Sequence, residues 1–186
     1  MTAFEGSMKG VVFTEFLTFV AEQRDEDFVD DLVASCNLAH SSYTSVGTYE
    51  FSELATLVGG YCRMTGTSMP DALKGFGHHL AKMFQTKFPD FYASQPGIME
   101  FVACVDGQIH VEVRKLYPDA ELPSFTIVER GPDCMSVDYA SCRPLGDLAV
   151  GLLEGSSSYY GQPIKIARRP IEDEQGARTR FDIQLV

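Results

Sequence analysis

Tyr139, Ser141 and Arg143 are spaced i, i+2, i+4 in the run Tyr139-Ala140-Ser141-Cys142-Arg143. At a strand end that spacing sends all three side chains off one face. Two hydroxyls and a guanidinium fork on one face suit paired carboxylates or a phosphate. The Arg binds bidentately and the hydroxyls take the remaining lone pairs. Cys142 points the other way. Taken alone, the row is equally compatible with ordinary surface polarity. His110 opens a second stretch, which runs from Ile109 to Leu122-Pro123. Its imidazole is a metal ligand by type, or a partly buried helix histidine. The other histidines have weaker claims. His40 lies in a predicted loop, and the neighbours His78 and His79 point about 100° apart on a helix, so they cannot chelate one metal as an i, i+4 pair would.

Five cysteines (Cys36, Cys62, Cys104, Cys134 and Cys142) are widely spaced, with no CxxC pair. An odd, scattered set is neither a disulfide framework nor a zinc cluster, and fits a reducing cytosol. A thiol-dependent enzyme pairing Cys104 with His110 is the alternative from another class. Lone cysteines on apolar stretches are usually inert core residues, which argues against it.

Length and charge narrow the classes further. A chain of 186 residues is one domain by default, able to enclose a ligand. A net charge of −11 and a pI near 4.7 argue against nucleic acid or anionic membrane as partner. The segment Met1-Thr2-Ala3-Phe4-Glu5-Gly6-Ser7 lacks the basic and apolar parts of a signal peptide. No apolar run approaches the roughly 20 residues that span a bilayer. The expectation is a cytoplasmic protein, not bound to membrane.

The elements that would position these residues follow from periodicity. Val12, Phe16, Phe19 and Val20 predict a first helix, and Phe28 to Val33 a second behind the acidic start Asp25-Glu26-Asp27. Residues 37–49 read as loop. Phe51 to Tyr61 and Leu73 to Phe84 predict two more helices, the latter with Ser68 as N-cap and Pro70 just inside. Around His110 two patterns compete. Asp106-Gly107 between apolar runs is a hairpin signal, while Ile98, Val102, Val105, Ile109, Val113 and Leu116 form one helical stripe. A mid-helix Gly107 would cost only about 1 kcal/mol, so pattern alone does not decide. Phe125–Val128 and Met135–Tyr139 predict an antiparallel pair. Leu145 to Leu153 reads as a helix ended by Gly155, followed by strands over Pro163–Ala167 and Arg180–Val186. Helices first, then a small antiparallel sheet with a helix across it, is α+β.

With those residues in view, the chain resembles the H-NOX family, haem–nitric oxide/oxygen binding domains related to the haem domain of soluble guanylate cyclase. Tyr139-x-Ser141-x-Arg143 matches the family's Tyr-x-Ser-x-Arg motif. Val150-Gly151-Leu152-Leu153-Glu154-Gly155 is similar to the Gly-Leu-Ile-x-Gly end of the following helix. His110 through Leu116-Tyr117-Pro118-Asp119-Ala120-Glu121-Leu122-Pro123 is similar to the segment carrying the proximal histidine. Met8-Lys9-Gly10-Val11-Val12 fits the family's start, so residues 1–7 are expected to be an extension and 8–186 one haem-binding domain. The resemblance implies an N-terminal helical subdomain and a C-terminal subdomain whose small sheet and helices enclose a haem.

The resemblance also implies the site. His110 becomes the axial ligand of a haem b (iron protoporphyrin IX), carried on a long helix, which sets the hairpin reading aside. Tyr139, Ser141 and Arg143 become the propionate-binding residues, and Pro123 the residue that presses the haem out of plane. Asp106, four residues before His110, is placed either to orient the ring or to make a surface ion pair. Relatives that hold oxygen stably carry a distal tyrosine nine residues after the motif tyrosine. Here that position is Leu148, and the other aligned distal positions are Phe16 and Leu80. Oxygen needs a hydrogen-bond donor beside it and nitric oxide does not. The expectation is therefore a nitric oxide sensor and not an enzyme, with an oxygen or redox sensor on the same scaffold as the alternative. The implied output partner is a separate histidine kinase or a cyclic-di-GMP enzyme, a diguanylate cyclase or phosphodiesterase.

Overall fold

The computed structural model describes residues 6–173 and 176–186. Residues 1–5 of the expected extension and residues 174–175 lie outside the described residues. The chain divides into two compact units, Met1–Phe76 and Gly77–Val186.

In the first unit, β1 (Ser7–Lys9) pairs antiparallel with β2 (Thr48–Glu50). The Phe51 amide also donates to the Gly6 carbonyl at 3.0 Å, so Gly6 and Ser7 are tied down. Three helices follow the predicted stripes: α1 (Gly10–Gln23), α2 (Glu26–Ser35) and α3 (Phe51–Thr65). Phe13, Phe16, Val20, Leu32 and Leu57 are fully buried among them. The acidic run works as a helix start, because the Asp25 carboxylate accepts from the Phe28 amide at 2.8 Å. Helix α4 (Met69–Lys87) begins in this unit, and Ser68 caps it. The Ser68 hydroxyl accepts from the Asp71 amide at 3.2 Å and donates to its carboxylate at 2.6 Å. A buried carboxylate pins loop 37–47 to α3. Glu53 accepts from the Tyr43 hydroxyl at 2.8 Å and from His40 Nδ1 at 2.9 Å.

The second unit continues α4 and adds α5 (Pro89–Ala93), α6 (Ile98–Cys104), a π turn (Val105–Ile109) and α7 (His110–Leu116). The hairpin signal at Asp106-Gly107 is overridden, and the backbone stays helical from Ile98 to Leu116. Four antiparallel strands follow in the order β3-β4-β6-β5: β3 (Ser124–Arg130), β4 (Cys134–Ala140), β5 (Ile164–Asp173) and β6 (Gly176–Leu185). Alternation sorts the two faces. Met135, Val137, Tyr139, Phe181 and Ile183 are buried with Val102 and Phe101 of α6 and Ala149, Val150 and Leu153 of α8 (Gly146–Tyr159). On the other face the buried Asp138 takes both arms of Arg180, at 2.6 and 3.0 Å.

Helix α8 corrects one expectation, since it runs through Gly155 to Tyr159 instead of ending there. A Cβ at Gly155 would lie 2.6 Å from Ala81 Cβ and 3.4 Å from His78 Cα. The glycine serves close helix approach, not termination. Gly77 repeats this at the other end of the crossing, where a Cβ would stand 2.3 Å from the Leu148 carbonyl oxygen.

Candidate functional site

The site begins with how the chain turns at His110. The His110 amide donates to the Val105 carbonyl, five residues back, which is the bond of a π turn. In a plain α-helix the stripe Ile98, Val102, Val105 would continue inward at Ile109. One extra residue in the turn advances the helix by about 100° per residue, so His110 faces inward instead. His110 is buried, Ile109 is half-buried and Leu116 is exposed. Of the two competing patterns the helical one forms, but with a phase that its stripe does not give.

Asp106 lies inside that turn and fixes the ring. Its Oδ1 accepts from His110 Nδ1 at 2.8 Å, and its Oδ2 accepts from the Phe125 amide at 3.0 Å. A carboxylate only accepts, so Nδ1 carries the proton and Nε2 the lone pair. Burial pushes the His110 pKa down, outweighing the support from Asp106, and so favours the neutral ring. With Nδ1 engaged, a buried neutral imidazole is able to serve as a metal ligand through Nε2. Among the described residues no group of three or more His, Cys, Asp or Glu side chains could hold a metal ion.

The row of three is brought together differently from a straight strand. Strand β4 ends at Ala140, and the Arg143 amide turns back to the Ser141 hydroxyl at 3.1 Å. Tyr139 is buried, its ring stacked on Phe181 at 5.2 Å and edge-on to Phe125 at 5.3 Å. Burial raises its hydroxyl pKa, and a hydrogen bond with Ser141 partly offsets this. Arg143 is buried. Its guanidinium donates to the Glu121 carbonyl at 3.0 Å and pairs with the Glu121 carboxylate. Cys142 is exposed. Sequence reasoning gave Glu121 no role, and no signal in its stretch marks it.

These donors fit a haem. Glu121 puts a carboxylate into the Arg143 fork, so the fork's complementarity to a propionate is visible within the chain itself. The Phe125 ring centroid lies 6.0 Å from that of His110 and 5.3 Å from that of Tyr139, so one residue packs beside both the histidine and the row. Pro123 is half-buried, one residue before β3. Leu80 on α4 and Leu148 on α8 are buried and lack any donor group. Phe16 belongs to the first unit, buried edge-on to Phe76 at 5.2 Å.

A family model described as Haem-NO-binding matches residues 9–168. The chain belongs to that family. Solved structures agree across its length. An H-NOX protein from K. algicida in the unliganded Fe(II) state is 32% identical, with a TM-score of 0.89 over 96% of this chain and 97% of that one. The IWP-051-bound H-NOX from Shewanella woodyi in the Fe(II)CO state is 31% identical, with a TM-score of 0.81 over 96% and 95%. An H-NOX protein from S. oneidensis in the Fe(II)NO state shares the fold at 24% identity, with a TM-score of 0.87 over 96% and 99%. No curated protein matches by sequence. This H-NOX chain is thus a haem-binding gas-sensor domain by fold. Among the described residues no helix is long and apolar enough to cross a membrane.

Proposed function

We propose that this H-NOX chain is a cytoplasmic haem-based nitric oxide sensor whose signal passes to a separate protein. The observation that carries the reading is the buried His110 ring with Nδ1 held by Asp106, where burial favours the neutral form and Nε2 is left for iron. Haem b is the group this site suits. Tyr139, Ser141 and Arg143 would hold its propionates, and Pro123 would press on its proximal side. His110 would hold the haem iron through Nε2, and the haem, when bound, would supply a metal that takes nitric oxide. A change in the hold of His110 would carry α7 with it, and two positions of this helix would be the states that the gas biases.

Selectivity rests on what the distal residues lack. Leu148, Leu80 and Phe16 offer no N–H or O–H to a diatomic ligand. Oxygen beside them forgoes about 1–3 kcal/mol of hydrogen bonding, whereas nitric oxide needs none. The output partner that this reading implies is a histidine kinase or a diguanylate cyclase or phosphodiesterase, with residues 8–186 acting as one sensing unit.

A visible spectrum of the reduced protein, first in air and then with nitric oxide, tests this directly. A Soret band that shifts with nitric oxide and shows no stable oxy form is expected. A stable oxy spectrum would make the protein an oxygen sensor, and no Soret band would end the haem reading. His110→Gly should lose haem unless imidazole is supplied. Full retention without imidazole removes His110 from its role.

A further inference from the structure

We infer that Glu121 competes with a haem propionate for the Arg143 guanidinium, so that loading the cofactor turns this side chain out of the fork. This rests on the reading of Arg143 as a propionate ligand. One residue occupies both terminal arms of the guanidinium. The Glu121 carbonyl accepts from one terminal nitrogen at 3.0 Å, and the Glu121 carboxylate pairs with the other. The two contacts differ in how they can be undone. The carbonyl belongs to the backbone of residues 117–123, where the Ala120 amide closes a turn on the Tyr117 carbonyl at 3.0 Å. The carboxylate ends a side chain that is 52% exposed, against 4% for Arg143. Glu121 can rotate its charge into water, and the buried arginine cannot follow.

Three features make this an exchange and not a simple loss. A buried cation left without a counter-charge is strongly destabilising, so one carboxylate leaves only as another arrives. Two carboxylates on the same arm repel each other, so they alternate there and do not share it. The fork itself stays in place, because the Arg143 amide is held by the Ser141 hydroxyl at 3.1 Å whichever partner the side chain has. The exchange also has a position in the fold. Residues 117–123 join α7, which carries His110, to β3, and Pro123 stands two residues beyond Glu121. Loading of the cofactor is thereby registered in the connection between the histidine helix and the sheet.

The test loads the full chain either with haem or with haem dimethyl ester, whose blocked propionates carry no charge, and follows release to an excess of a competing acceptor. Glu121→Gln should slow haem release about fivefold, because the propionate no longer has a rival for the arginine. It should leave release of the ester unchanged, because an ester does not contend for the fork. Arg143→Ala should quicken haem release about tenfold or more, and in that background Glu121→Gln should have no further effect. Circular dichroism checks the fold of each variant. Glu121 is exposed, so the contrast between haem and ester in Glu121→Gln stands even where Arg143→Ala fails to fold. Faster haem release from Glu121→Gln, or an equal change for haem and ester, would overturn the inference. The folded Arg143→Ala protein separates the two ideas. If it releases haem faster while Glu121→Gln alters nothing, only the competition fails. If it releases haem at the wild-type rate, the propionate reading falls and takes the competition with it.

Discussion

His40 in the first unit and His110 in the second each donate Nδ1–H to a carboxylate, at 2.9 and 2.8 Å. Their burial is reversed. The His40 side chain is 49% exposed against a Glu53 carboxylate that is 9% exposed. The His110 side chain is 11% exposed against an Asp106 carboxylate that is 37% exposed. The buried member sets the chemistry of each pair. A buried carboxylate stays ionised only where donors gather round it, and so it becomes a fastening. Burial alone would raise the Glu53 pKa, but hydrogen bonds from His40 and Tyr43 outweigh it and hold the carboxyl below its usual range. Burial instead lowers the pKa of the His110 imidazole and favours its neutral form, which keeps one free lone pair. The same hydrogen bond therefore locks a loop in one unit and leaves a ring nitrogen open in the other, the one proposed above to hold iron.

The largest break in this comparison comes from the π turn. Deleting Gly107 should close Val105–Ile109 into ordinary α-helix and rotate His110 by about 100° out of its inward position. Haem stoichiometry should fall to nothing, while far-ultraviolet circular dichroism keeps its helical signal. Retained haem after the deletion would mean that the turn does not set the ligand's phase. Nothing comparable should follow from touching the Glu53 cluster.

Glu53→Ala should instead act on stability. It strands the buried Tyr43 hydroxyl and releases His40, so urea unfolding should lose about 2 kcal/mol. The haem spectrum should stay unchanged. Because the Glu53 pKa is lowered on folding, its contribution is complete above the unfolded value of about 4.3 and fades as pH falls through the lower folded value. The difference in stability between wild type and Glu53→Ala should therefore shrink below about pH 4.3. A gap that persisted unchanged in acid would show that packing, not ionisation, carries it.

Several parts of this arrangement were legible in the sequence for identifiable physical reasons. The stripes of α1 to α4, the Ser68 cap and the alternation of β4 and β6 are local patterns, and each forms where the pattern falls. Tyr139, Ser141 and Arg143 were readable as a set because two-residue spacing links them, although the strand stops at Ala140 and a turn completes the grouping. Gly155 misled because a glycine late in a helix has two uses. Only the approach of Ala81 and His78 shows which one applies. The π turn was illegible because it changes helical phase without changing apolar content. Asp106 stood at the right spacing for the ring, but its second contact is to Phe125, nineteen residues away, and spacing says nothing about that.

Glu121 extends the comparison and gives its finest test. Its side chain is 52% exposed and pairs with Arg143, whose side chain is 4% exposed, so the pair repeats the His110–Asp106 order of a buried base with an open carboxylate. An open carboxylate is exchangeable, and a haem propionate is a chemically equivalent partner for the same fork. Glu121→Gln should then destabilise the haem-free protein by about 1 kcal/mol, because a buried cation loses its counter-charge. The haem-loaded protein should lose less, since a propionate supplies the charge. By the thermodynamic cycle that difference returns as tighter haem binding, up to about fivefold for 1 kcal/mol. Haem transfer to a competing acceptor should slow accordingly, while the iron–histidine band stays in place because Asp106 is untouched. Faster transfer would mean that Glu121 supports the cofactor instead of substituting for it, and that its open carboxylate works like that of Asp106 after all.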